Sequence, residues 1–161
     1  MVNSAFNRLV KRAFSLVEVL VVVVILGILA AMVVPQFSGA TESAQTTSVE
    51  STLGTVRSSI AAFRTRAVVS GGDPYPSLKE LTDRGVVLAD GVPHNPFTRI
   101  GGVQSVSLSQ ARDRAVINEG RVGWNYYVDN NAVPPTAEFY ANSKEATARK
   151  SGGVVLTANQ L

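Results

Sequence analysis

No cysteine occurs among the 161 residues, so neither a disulfide framework nor a thiolate metal site is available and the fold must rest on packing. Histidine is scarce as well: His94 is the single one, set between prolines and an asparagine in a predicted turn, with no carboxylate cluster nearby in sequence. It reads as a surface or turn residue and not as a catalytic base or zinc ligand. Phosphate-binding glycine loops, zinc-binding His-Glu pairs and nucleophile elbows are missing too, which argues against an enzyme. There is no internal repeat and no low-complexity tract. Basic charge is confined: the formal +3 and the pI near 9.5 come from Arg8, Lys11 and Arg12, and beyond residue 13 twelve basic residues meet twelve acidic ones. That balance indicates no nucleic-acid partner.

What the chain does have is a long apolar run. From Leu16 to Val34 only Glu18 is charged, and at the helical rise this stretch covers about 28 Å, close to the hydrocarbon thickness of a bilayer. Arg8, Lys11 and Arg12 precede it, whereas Glu42 and Glu50 are the only charges between Pro35 and Val56. A cationic flank on the N-terminal side keeps that terminus cytoplasmic and sends the rest across.

The junction Lys11-Arg12-Ala13-Phe14-Ser15-Leu16-Val17-Glu18 resembles the class III leader of type IV pilins and type II secretion pseudopilins. The resemblance implies that a membrane peptidase cuts between Ala13 and Phe14 and methylates the new N-terminal Phe14. It also implies that Glu18 serves assembly, pairing with the amine of a neighbouring subunit. Ala13 departs from the glycine usual before the cut. Two other readings compete. A secretory signal peptide ending at Ser38-Gly39-Ala40 would have an apolar core longer than the usual 7 to 15 or so residues and leaves Glu18 unexplained. A plain single-pass anchor would let Glu18 snorkel to the membrane surface.

After Pro35 the pattern becomes amphipathic. Val49, Leu53, Val56, Ile60 and Phe63 recur at steps of four and three, one helical stripe that should pack on a small domain, with Arg57, Arg64 and Arg66 off it on the face shown to water. Pro35 lacks an amide donor and clashes with the preceding turn, so a kink is expected there, and Gly39 weakens the same region. Ser70-Gly-Gly-Asp-Pro-Tyr-Pro76 ends the helix. Ser77 and Glu80 then form a capping box for a short helix from about Leu78 to Arg84, stopped by Gly85. Residues 98–120, with alternating Val103 and Val106 and a possible turn of helix from Ser109 to Ala115, read as a variable insertion. Val122, Trp124, Tyr126 and Val128 alternate as a strand with one apolar face, which should point Trp124 and Tyr126 at the helix stripe. Asp129-Asn130-Asn131 and Pro134-Pro135 turn the chain into a partner strand at Glu138–Ala141, with Val154–Leu156 as a weak third candidate.

Tyr75-Pro76-Ser77, Pro93-His94-Asn95-Pro96-Phe97, Gly123-Trp124 and Phe139-Tyr140-Ala141-Asn142 resemble the head of major pseudopilins, although Asn95 stands where aspartate is common and Phe97 where tryptophan is. The resemblance implies a calcium in the head. Calcium takes about six to eight oxygens, and Asp129-Asn130-Asn131 lacks the acidic density, so an Asn/Asp-rich hairpin turn accounts for it equally well and no metal ligand is assigned.

The expected fold is α+β and pilin-like: a long N-terminal helix, transmembrane in its first half and kinked near Pro35, packed on a small antiparallel sheet. The divisions are a cleaved basic leader (1–13), a transmembrane or filament-core helix (14–35), its amphipathic continuation (36–69) and a globular head (70–161). The expected role is structural, a self-assembling subunit of a type II secretion pseudopilus. The alternatives are a type IV pilus subunit and a membrane-anchored extracytoplasmic binding domain. By resemblance its partners are further copies of itself, other pseudopilins, the prepilin peptidase, and the assembly ATPase with its inner-membrane platform. Its place would be the bacterial inner membrane and then a periplasmic or extracellular filament.

Overall fold

A computed structural model describes residues 14–161, without the side chains of Pro35, Gln36 and Ser38. The basic leader and Ala13 lie outside the described residues. One helix, α1, runs from Leu16 to Ser70. The chain divides into two compact units at Ser38/Gly39, inside that helix. α1 stays helical through Pro35, so the proline does not end it.

In the first unit the helix is apolar on every side and buried on none. Leu16, Val17, Leu20, Ile25, Leu29 and Met32 are all more than half exposed. By length and composition α1 is able to cross a membrane.

The second unit is built on the amphipathic part of α1. Val49, Leu53, Val56 and Ile60 are buried and share one core with Leu81, Trp124, Tyr126 and Phe139, as the spacing predicts. Phe63, the last residue of the expected stripe, is half-buried. Arg57 corrects the expectation that it faces water. It is half-buried, with Nη2 donating to the Phe139 carbonyl oxygen at 3.0 Å and Nη1 to the Leu161 oxygen at 3.3 Å. An arginine can bury its aliphatic stem while its guanidinium reaches backbone oxygens, and that is how a charged side chain fits here.

The head carries α2 (Leu78–Thr82), β1 (Val103–Ser105), α3 (Leu108–Arg112), β2 (Trp124–Asp129), β3 (Thr136–Ala141), β4 (Ala146–Ser151), β5 (Val154–Thr157) and a closing 3-10 turn at Ala158–Gln160. Ser77 caps α2 as expected: its Oγ accepts from the Glu80 N–H and Glu80 Oε2 accepts from the Ser77 N–H at 2.8 Å. The Ser77 hydroxyl, which donates to the same Oε2 at 2.7 Å, and then the Ser77 N–H hold the Glu80 carboxyl below the ordinary glutamate value. Ser77→Ala is expected to cost about 1 kcal/mol in urea unfolding, the usual worth of an N-cap. An unchanged midpoint would show that α2 is held by Leu81 alone.

The sheet is mixed, where an antiparallel one was expected. β2 and β3 form the predicted hairpin, pairing Tyr126 with Phe139, but β1 lies parallel on the other side of β2. Val154–Thr157 is a strand, yet it pairs with β4 in a separate two-stranded sheet. Residues 98–120 are therefore not a free insertion. They supply β1 and α3, and they cover the second face of β2, so Asn125 is fully buried where one apolar face was expected. Buried amides hold the segment. Asn125 Nδ2 donates to Asn142 Oδ1 at 3.0 Å, Gln104 Nε2 to Asn125 Oδ1 at 2.8 Å, and Asn142 Nδ2 to the Ile117 carbonyl at 2.7 Å. Each polar group removed from water has found a partner, which is the condition for burying it cheaply. At Gly123 any side chain would collide with the Ile100 carbonyl oxygen, so glycine lets this segment close on β2.

Candidate functional site

The N-terminal end of α1 is the first place where chemistry and exposure coincide. Phe14 is 85% exposed. Ser15 sits just before the helix, and its Oγ accepts from the Val17 N–H at 3.3 Å, while Glu18 Oε2 accepts from the Ser15 N–H at 3.1 Å. Serine followed three residues later by glutamate is a capping arrangement, and the carboxylate stabilises the positive end of the helix. Glu18 therefore has a local partner, the Ser15 N–H, that neither the assembly nor the snorkelling reading of the sequence included. Around it Val17, Val19, Leu20 and Val21 are all about half exposed or more, so the carboxylate stands in an apolar surface that a single chain leaves uncovered.

The head offers no comparable constellation for catalysis. His94 is exposed, as expected of a turn residue, with its ring beside Gly101. Trp124 and Tyr126 are core residues and not a binding platform. Trp124 Nε1 donates to the Pro93 carbonyl at 2.7 Å, its ring stacks on Phe139 at 5.2 Å, and Tyr126 Oη donates to the Pro76 carbonyl at 2.8 Å. Burial, helped by Tyr75 and Glu80, raises the Tyr126 phenol well above its ordinary value.

At the hairpin turn the oxygens that a calcium would need are spent on the chain itself. Asp129 Oδ1 accepts from the N–H groups of Asn131 and Ala132, and Asn130 pairs through both ends of its amide with the Tyr75 backbone. Among the described residues no group of three or more histidine, aspartate or glutamate side chains converges. These residues do not fit a calcium ion. They close a turn.

Sequence reasoning missed a cluster of three arginines on the head. Arg57 and Arg64 come from α1 and Arg114 from the turn after α3, and together they line a cavity of about 320 Å³ with Tyr75 and Glu138. No linear motif could have found it, because the residues are scattered over more than fifty positions and only the fold gathers them.

Residues 8–34 match the family described as the prokaryotic N-terminal methylation motif. No curated protein and no solved structure matches the chain. The motif and the architecture, a long apolar N-terminal helix followed by small mixed sheets, support the type IV pilin-like class, whose members are structural subunits processed by a prepilin peptidase and assembled with one another.

Proposed function

We propose that this chain is a subunit of a type II secretion pseudopilus, held first in the bacterial inner membrane with its N-terminus cytoplasmic, and then assembled into a filament that supports protein export. The observation that carries the proposal is the methylation motif at residues 8–34 with the part of α1 from Leu16 to Val34, whose large apolar side chains are uncovered in one chain. Burying that surface yields roughly 25 cal/mol per Å², so the helix needs either lipid or the helices of neighbouring copies. A membrane supplies the first and a filament the second.

In this reading residues 1–13 are removed, Phe14 becomes the methylated N-terminus, residues 14–35 pass from bilayer to filament core, and residues 36–69 carry the head at 70–161. Pro35 provides a kink point within the continuous helix. Glu18 sets the axial register. Secretion is favoured over a surface pilus by the head sequences at Tyr75–Ser77, Pro93–Phe97 and Gly123–Trp124. The partners are the peptidase, the assembly ATPase on its inner-membrane platform, and other pseudopilins.

Mass spectrometry of the membrane-extracted protein is expected to give a mature chain starting at methylated Phe14. A start at Thr41 would instead establish a secretory peptide, and an intact Met1 in cells with active peptidase a plain anchor. Deleting the gene separates the two filament roles: loss of exported enzymes with surface pili unchanged fits the pseudopilus, and the reverse fits a pilus.

A further inference from the structure

The three-arginine cavity has no part in helix insertion or N-terminal processing, and its charges are out of balance. Arg114 Nε and Nη2 both contact the same Glu138 carboxylate oxygen, at 3.1 and 3.0 Å, so Glu138 is already engaged. Arg64 Nη1 donates to the neutral Tyr75 hydroxyl at 2.8 Å and its guanidinium lies 5.0 Å from the Tyr75 ring centre. Arg57 donates to the Phe139 carbonyl oxygen and to an oxygen of Leu161, the last residue of the sequence, and meets no acidic side chain in these bonds. Among the side chains that line the cavity, three guanidiniums thus face one carboxylate. Burial, and then the positive charge of Arg114, push the Arg57 guanidinium below its ordinary value.

Backbone strain points the same way. Arg114 has a φ of +46°, a left-handed position that glycine would occupy without penalty and that an arginine holds at a cost. The bend turns it toward β3 and Glu138. Strand β3 is an edge of the three-stranded sheet, with β2 on one side only, and its residues Ala137 and Glu138 form part of the cavity wall above an apolar floor of Ile60 and Phe139.

The geometry points to a docking site for an acidic peptide: an extended segment of a partner protein that lies along β3 near Ala137 and places one carboxylate among Arg57, Arg64 and Arg114. Arginine suits this task because its planar fork binds carboxylates through paired hydrogen bonds. Arg57 already occupies the Phe139 carbonyl, so the strand edge around Ala137 is the part that can supply main-chain partners to an extended peptide, with alternate side chains reaching the same wall. The volume, near the lower end for ligand sites, takes a single side chain over its apolar floor. This site stands whether or not the chain forms a secretion filament.

The test uses the full chain in detergent micelles and a short fluorescein-labelled peptide of alternating glutamate and valine, followed by anisotropy. Saturable binding that weakens with added salt is expected, with no binding of the glutamine-valine counterpart. Arg64→Glu is expected to weaken binding by about tenfold or more. Glu138→Gln is expected to tighten it several-fold, because it frees Arg114, and no loss of folding can produce that gain. The proposal is overturned by the absence of saturable binding, by equal binding of the glutamine peptide, or by an affinity indifferent to Glu138→Gln. Displacement by millimolar inorganic phosphate to the same extent as by unlabelled peptide would reduce the site to a simple anion site and overturn the peptide reading.

Discussion

A Glu18→Ala chain is expected to enter the membrane normally and to leave almost no filament that can be sheared and recovered. Removing the carboxylate makes the span more apolar, so insertion does not suffer: a charged residue near the bilayer centre costs about 2.5 to 3.5 kcal/mol on insertion scales, and less near an end. Assembly is different. In the proposed filament, removal of the leader gives Phe14 a positively charged amine, and that amine on one subunit neutralises Glu18 on the next. A slip in register would strand both charges in low dielectric. The capping bond from the Ser15 N–H to Glu18 Oε2 supplies a rival explanation and also the way to separate the two. Glutamine can take the same capping position, so Glu18→Gln keeps the local bond and loses the charge. Failure of both variants assigns the role to charge. Wild-type filament yield from Glu18→Gln would assign it to the helix cap, and normal yield from Glu18→Ala would end the idea altogether.

Trp124→Ala is expected to be the most damaging single change in the head, lowering stability by about 3 to 5 kcal/mol, the range for emptying a large buried aromatic site. Three losses combine. The indole is fully buried in the core formed with α1, it stacks on Phe139, and its Nε1 ties the Pro93 loop to the sheet. The measurement is urea unfolding of the full chain in detergent, followed by circular dichroism since the tryptophan itself is gone. An unchanged midpoint would mean that this core does not hold the head on α1.

The parts legible in the sequence were those in which burial writes a period. Val49, Leu53, Val56 and Ile60 are spaced by helical turns, and all four are core. Trp124 and Tyr126 alternate with the strand and point inward, and Ser77 with Glu80 announces α2. Polar side chains with structural roles leave no such trace. Asn125 and Asn142 are buried because each satisfies the other and the segment above them, and nothing in the spacing of asparagines signals that. β4 is mostly exposed, with Thr147 its single buried residue, so it shows no apolar alternation. The Ser107-to-Gln110 capping box that starts α3 was open to the same argument as Ser77 to Glu80 and went unread. Arg57 was misplaced because a residue count treats a guanidinium as all charge and ignores the stem beneath it.

The closing of the head onto α1 also imposes an order in time. Arg57 waits for the carbonyl of Phe139, 82 residues on, and for Leu161, 104 residues on. Thr46 accepts from the Ala148 N–H across 102 residues, and Glu50 pairs with Arg149 across 99. A ribosome adds roughly 5 to 20 residues per second, so the apolar stripe of α1 exists for several seconds before its covering strands have been made. Contacts this distant in sequence form late and slowly. During that interval the stripe is open to a chaperone and equally to a wrong neighbour. Truncations that remove β4 and β5 should therefore surface in the cell as degradation of the nascent subunit rather than as a shortened but stable head.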